Sequence, residues 1–318
     1  MSIRVGLVGA GGVGARHART LAGLEDVELV GIVDALPGAC DALAGQLGVP
    51  VVDTLDRLLH GALDAVWLCV PPFAHGELEL AVVRAGLPFF VEKPLAADLG
   101  TADTVAASVA AAGLPTATGY HWRHLDTVAR AREALAGVPP RLVSLTWQDK
   151  VPPPDWWRTT RLSGGQVVEQ ATHVLDLARV LAGEVVEVRA AAAPSSDPGR
   201  DVADATTAVL TFACGALGTL AVTCTLAAKG RAGIEVAADG VLVELTETSL
   251  RVSGAGGVEE VQPAVDGRLA VDRAFVDVLC GRPAAPGVVD YAEALRTHRL
   301  ACAVAESARN GSAVRVPA

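Results

Sequence analysis

The segment Gly9-Ala10-Gly11-Gly12-Val13-Gly14 follows an apolar run, Ile3–Val8, and opens a stretch of helical periodicity over residues 12–24. No other feature of the chain restricts its fold as strongly. In this G-x-G-x-x-G spacing the first glycine permits a tight turn and the second lets the backbone approach a pyrophosphate. The third allows close packing of helix on strand. The helix start adds free N–H groups and the positive end of its dipole for the phosphates. Asp34 ends the next apolar run, Val27–Val33, at the separation of about 20 residues where a carboxylate meets the ribose hydroxyls of a dinucleotide. Ala35, Leu36 and Pro37 follow it rather than a basic residue, so an ionised carboxylate there disfavours a 2′-phosphate. The turn predicts a site for NAD rather than NADP, contacted by Gly9, Gly11, Gly12, Val13, Gly14 and Asp34. An ordinary glycine-rich loop is the plain alternative, and the order strand, turn, helix, acid argues against it.

Further apolar runs lie at residues 65–70, 88–91 and 115–118, with a weaker one at 49–52, and helix-like segments at 38–47, 75–85 and 98–112 separate them. Near-continuous apolar strands joined by helices describe a parallel sheet covered on both faces. Residues 1–120 are therefore expected to form a doubly wound Rossmann domain. From residue 121 to 318 the pattern changes to α+β. A helix at 125–136 precedes a strand at 141–149, a proline-rich loop at 151–155 and a long helix at 165–182. Strands then succeed one another from 185 to 252, with hairpin breaks at Cys214-Gly215 and Asp239-Gly240. This predicts a large, open, mainly antiparallel sheet. Helices at 269–280 and 291–310 close the chain, the last free to pack back on the first domain. The fold class is α/β with an α+β second domain.

Composition narrows the partners. The net charge of −10 disfavours nucleic acid and anionic membrane surfaces, which would repel the chain at long range. No apolar run reaches the roughly 20 residues that span a bilayer, and the first residues read as a buried strand rather than a signal peptide, so a cytoplasmic protein is expected. The six cysteines show neither a Cys-x-x-Cys pair nor zinc-like spacing; no metal site is predicted, and most should be reduced, buried thiols. Of the 26 basic residues only Lys93, Lys150 and Lys229 are lysines, which gives each more weight.

Lys93 lies in Glu92-Lys93-Pro94, just after the apolar run at 88–91. Ligands of doubly wound sheets bind outside the carboxyl ends of the strands, so this ammonium is placed to hydrogen-bond a reacting hydroxyl and stabilise a developing alkoxide. A surface lysine paired with a carboxylate is the alternative. Glu169 and His173 are four residues apart in the predicted helix, with Asp176 three further on. On a continuous helix they share a face, where a carboxylate can orient an imidazole and raise its basicity. Of only 12 aromatic residues, Tyr120, Trp122, Trp147, Trp156 and Trp157 fall close together. They offer either apolar area for a sugar ring, with Arg158, Arg161 and more weakly Arg123, His121 and His124 for its hydroxyls, or packing between domains.

Taken in order, these segments make the chain similar to the Gfo/Idh/MocA family over its whole length. The matching segments are the glycine turn with Ala15–Ala18, Cys69-Val-Pro-Pro-Phe-Ala-His75, Glu92-Lys93-Pro94, Gly119-Tyr-His-Trp-Arg123, and Gly164-Gly165 leading to an acid and a histidine. The resemblance implies cofactor contacts from Val70, Pro71, His75 and Glu92 besides Lys93. It also implies that the helix of His173 borders the nicotinamide, with His173 accepting the proton of a sugar hydroxyl and Gln170 joining the substrate residues. One departure stands out: the usual aspartate is here Glu169, followed by Gln170 and Ala171. The expected activity is NAD-dependent oxidation of a secondary hydroxyl of a cyclic sugar or polyol by Lys93, His173 and Glu169. A glycoside-cleaving relative working by oxidation and elimination, and a non-catalytic dinucleotide sensor, are the alternatives. The family also implies a homodimer or homotetramer formed through the second domain's sheet.

Overall fold

The computed structural model describes residues 2–317, which divide into two compact units. The first comprises residues 2–96, 100–121 and 268–295, and the second comprises 97–99, 122–267 and 296–317. Each has its own apolar core.

In the first unit the chain runs β1 (Ile3–Val8), α1 (Gly12–Ala22), β2 (Val27–Val33), α2 (Asp41–Leu47), α3 (Leu55–Leu59), β3 (Ala65–Leu68), α4 (Glu77–Arg84), β4 (Phe89–Val91), α5 (Leu99–Ala112) and β5 (Thr116–Thr118). The five strands form one parallel sheet in the order β2-β1-β3-β4-β5. This is the doubly wound arrangement read from the apolar runs. The weak run at 49–52 is not a strand: only Val51 bridges to Ile32. Pro50 lies beside it and cannot donate to a ladder, and the five-residue helix α3 follows, which the sequence pattern did not separate from the surrounding loop.

The second unit holds α6 (Asp126–Ala134), β6 (Pro140–Gln148), α7 (Thr160–Ser163), α8 (Gly165–Glu169), α9 (Thr172–Ala182), β7 (Val185–Ala193), β8 (Ala205–Phe212), β9 (Leu217–Thr223), β10 (Ala232–Ala238), β11 (Val241–Thr246), β12 (Leu250–Gly254) and β13 (Gly257–Val261). After α10 (Gly267–Leu279) and α11 (Tyr291–Asn310) comes β14 (Val314–Arg315). Nine strands form a sheet in the order β13-β12-β11-β10-β6-β9-β8-β7-β14, antiparallel throughout except for β6 against β9. Strands β8 and β9 alternate buried and outward residues, the signature of a sheet with one covered face. Leu142, Val209 and Leu217 lie on the outward positions, each about half exposed.

Two features depart from the pattern. Helix α10 belongs to the first unit's core, where Phe275 packs on Trp67 and Phe90 at centroid distances of 5.3 and 6.4 Å. The predicted long helix over 165–182 is broken into α8 and α9. The Ala171 N–H bonds back five residues to the Gln166 carbonyl, which also accepts from Gln170, so one residue is squeezed out of the regular ladder.

Candidate active site

The glycine turn of the first unit has one closed and one open face. Gly9 has φ +94°, and a Cβ there would lie 2.3 Å from the Cys69 carbonyl oxygen; at Gly14 it would lie 1.9 Å from the Gly9 carbonyl oxygen. No side chain fits either position. At Gly11 and Gly12 an added Cβ would meet nothing within 4 Å. The open side is the cradle a pyrophosphate requires, at the start of α1, whose first residues have free N–H groups. Val13 is exposed on the same turn. Asp34 stands at the end of β2, where its two carboxylate oxygens accept from the N–H groups of Ala10 at 2.7 Å and Leu36 at 2.9 Å. The carboxylate is thereby fixed beside the turn with lone pairs left for ribose hydroxyls. These residues fit a dinucleotide.

Behind the turn lies a buried charge cluster. His17 of α1 is enclosed, with Nδ1 2.7 Å from Asp272 Oδ1 and Nε2 2.8 Å from Glu92 Oε1. The Trp67 indole donates to the same Asp272 oxygen at 2.9 Å. Burial alone would neutralise the imidazole, but Asp272 and Glu92 outweigh it and raise the His17 pKa to about 9. Burial likewise opposes the Glu92 carboxylate, yet His17 first, then Lys93 and Arg16, hold its pKa down to about 2. Glu92 therefore stays ionised and accepts from the backbone N–H of Lys93 at 3.0 Å. Gly119 leaves room for it, since a Cβ there would sit 2.6 Å from its carboxyl group. The half-buried Lys93 is thus anchored through its backbone at the carboxyl end of β4, followed by a cis bond to Pro94. Of the other residues expected at the cofactor, Val70 and Pro71 are half-buried past the end of β3. His75 is buried with Nδ1 2.5 Å from Glu79 Oε1.

Sequence reasoning missed the partnership of His17 with Asp272. His17 lies within the matching segment Ala15–Ala18 with no local sign of its partner, and Asp272 is 255 residues away. The one sign in the sequence of α10 is an acid three residues after Leu269 and three before Phe275, at the helical spacing of its apolar face.

In the second unit His173 is nearly buried at the start of α9 among two indoles. Trp122 lies 5.9 Å away at 13° and Trp147 5.8 Å away at 19°, centroid to centroid. Lys229 Nζ lies 5.3 Å from the Trp147 ring centroid. Because the helix breaks at Gln170–Ala171, Glu169 and His173 do not occupy successive turns of one regular helix. The Glu169 carboxylate accepts from the Trp157 indole at 2.7 Å. Trp122 and Trp157 are buried to within 2% of complete enclosure, so they frame Glu169 and His173 rather than offer an open platform to a sugar ring. Tyr120, of the first unit, is equally enclosed. Arg123 grips the buried Asp176 through two bonds of 2.6 and 2.5 Å, and Thr297 donates to Asp176 at 2.9 Å. Arg158 bonds Asp197 on the surface at 3.3 Å. Gln170 is buried directly after Glu169. Among the described residues no group of three or more His, Cys, Asp or Glu side chains is placed to hold a metal ion.

Fold and turn together define an NAD-binding oxidoreductase. The family model of that description, the NAD-binding Rossmann fold of the Gfo/Idh/MocA oxidoreductases, matches residues 3–120, and the model of the family's C-terminal domain matches residues 137–257. The chain belongs to the Gfo/Idh/MocA family. It is 31% identical over 328 residues to the myo-inositol dehydrogenase Hyg17 of Streptomyces leeuwenhoekii, covering 98% of this chain and 99% of that protein. It is 34% identical over 199 residues to the inositol 2-dehydrogenase of Rhizobium meliloti (strain 1021), where the match spans 61% of this chain and 59% of that protein. Among solved structures, GenD2 from gentamicin A biosynthesis, in complex with NAD, superposes with a TM-score of 0.85 at 25% identity over 100% of this chain and 97% of that one.

Proposed function

We propose that the protein is an NAD-dependent dehydrogenase that oxidises a secondary hydroxyl of a cyclic polyol or sugar. The observation that carries this reading is the anchoring of Lys93 at the end of β4 by a carboxylate that His17 keeps ionised. Similarity to two inositol dehydrogenases supports the substrate class. The nicotinamide, when bound, supplies the acceptor for the two electrons and hydrogen leaving the carbinol carbon. In this reading Lys93 Nζ donates to the substrate oxygen and stabilises the developing alkoxide. His173 accepts the hydroxyl proton, and Glu169, held by Trp157, orients the donor set. The carbon–hydrogen bond breaks as the carbon–oxygen double bond forms. Gly11, Gly12, Val13 and Asp34, with Val70, Pro71 and His75, hold the dinucleotide. Arg123 acts through Asp176 as a positioning residue.

The same proposal places the protein in the cytoplasm as a homo-oligomer, seated through the outward apolar residues Leu142, Val209 and Leu217 of the large sheet. Light scattering reads that part: a monomer at micromolar concentration contradicts it. The chemical part is tested by following the NADH absorbance band over a panel of inositols, aldoses and sugar nucleotides, with NAD and NADP in parallel. NADH formation with at least one cyclic polyol or sugar supports the proposal. Product release without net NADH from glycoside substrates would replace it by an oxidation–elimination reaction.

A further inference from the structure

A cavity of about 650 Å³ lies wholly within the second unit, between α8, α11, strands β7 and β8, and the segment around β14. Its volume is in the range of small-molecule sites. Gln166 of α8 lines it. That side chain is only 4% exposed, yet neither its Oε1 nor its Nε2 has a hydrogen-bond partner among the described residues. An amide so placed forfeits hydrogen bonds it would make in water, a cost natural interiors seldom leave unmet.

The charges around the cavity have the same sense. Arg161, Arg309 and Arg315 line it, and none has a carboxylate partner among the described residues, whereas Arg123, Arg141, Arg179, Arg251 and Arg273 elsewhere are all paired. Counting Arg299, four guanidinium groups face three carboxylates, Asp98, Asp201 and Glu306. The Asp201 carboxylate is already engaged by the Thr160 N–H at 2.5 Å. In a chain of net charge −10 this is a local excess of positive charge.

We infer that this cavity binds a small hydroxylated anion, its carboxylate or phosphate held by Arg309 and Arg315 and its hydroxyl groups by the Gln166 amide. Guanidinium forks match either oxyanion bidentately. An amide presents a donor NH2 group and an acceptor oxygen side by side, the complement of hydroxyl groups. None of the glycine-turn residues or Asp34 lines the cavity, so the site is separate from the dinucleotide cradle. The carbonyl of Gln166 accepts from both Gln170 and Ala171, at the break that leads to His173. An occupant bonded to the Gln166 side chain therefore bears on the residue that sets the α8–α9 junction.

Calorimetric titration of the full chain tests this, with NAD saturating so that phosphate probes cannot enter the cradle. The probes are 6-phosphogluconate, gluconate, inorganic phosphate and neutral glucose. The expected result is binding of 6-phosphogluconate or gluconate with no heat from glucose. Affinity should weaken at least tenfold in the surface variant Arg309→Gln/Arg315→Gln and again in Gln166→Leu. Stronger binding of 6-phosphogluconate than of gluconate assigns the anionic pocket to phosphate, and the reverse assigns it to carboxylate. NAD titrated alone into each variant should match the parent chain, which shows that both fold. Absence of binding by both hydroxylated anions overturns the inference, as does an affinity that neither variant changes. Inorganic phosphate binding as tightly as the sugar acids, with no loss in Gln166→Leu, overturns the role of the amide and with it the ligand class.

Discussion

Asp34 does two things with one carboxylate. Its oxygens accept from the Ala10 and Leu36 N–H groups and so tie the end of β2 to the glycine turn, and we propose that its remaining lone pairs take the ribose hydroxyls of the dinucleotide. Asp34→Ser is expected to lower the NAD-over-NADP ratio of kcat/KM by roughly 10–100-fold, the range set by losing hydrogen bonds to a charged group worth about 1.5–3 kcal/mol. An unchanged ratio would show that discrimination lies elsewhere. At this scale the sequence was most legible where spacing alone defines a place, as with Gly9 and Gly14 in the tight turn and Asp34 at the end of β2. It was least legible where a side chain's partner decides. Arg123 reads from the sequence as one of the weaker substrate contacts, and its two bonds to the buried Asp176 are visible only in the fold. Trp157 reads as a sugar platform until its enclosure and its bond to Glu169 are known.

The break between α8 and α9 has a definable support. Gly164 precedes α8 with φ +77°, and a Cβ there would meet Val168 Cγ1 at 2.7 Å and the Ala97 carbonyl oxygen at 3.0 Å. Gly164→Ala is expected to cost roughly 1–3 kcal/mol through backbone strain and crowding, read as a fall in the urea midpoint. A midpoint equal to the parent's would mean that the junction relaxes freely. The sequence marked this region as helix because apolar residues recur at helical spacing across 165–182, and a single displaced hydrogen bond leaves that periodicity almost intact. Long periodic segments and glycine turns, by contrast, are legible in the sequence. Helix α11, at Tyr291–Asn310, has the boundaries its pattern predicted, and the hairpins at Cys214-Gly215 and Asp239-Gly240 fall between β8 and β9 and between β10 and β11. Short α3 and the single bridge at Val51 are too brief for periodicity to register.

Over the whole molecule, the His17 cluster joins residues 255 positions apart, and no local pattern could have paired His17 with Asp272. The cluster carries a pH signature. His17 has a folded pKa of about 9 against an ordinary value of 6.5, so its contribution is complete below 6.5 and is lost as pH rises through 9. Glu92 has a folded value of about 2 against 4.5, so its contribution is complete above 4.5 and is lost as pH falls through 2. Stability from the cluster is therefore greatest between pH 4.5 and 6.5. Urea midpoints measured across pH should decline on the alkaline side, and Asp272→Asn should flatten that decline; an equal slope in the variant would remove His17 from the explanation. The cluster anchors the backbone of Lys93, the residue to which we assign stabilisation of the developing alkoxide. The most direct measurement compares Lys93→Ala with the parent chain for NADH binding by fluorescence and for turnover on a cyclic polyol that the parent oxidises. NADH affinity within a few-fold of the parent, with kcat reduced by about 100-fold or more, is the predicted result. Undiminished turnover in Lys93→Ala would contradict it.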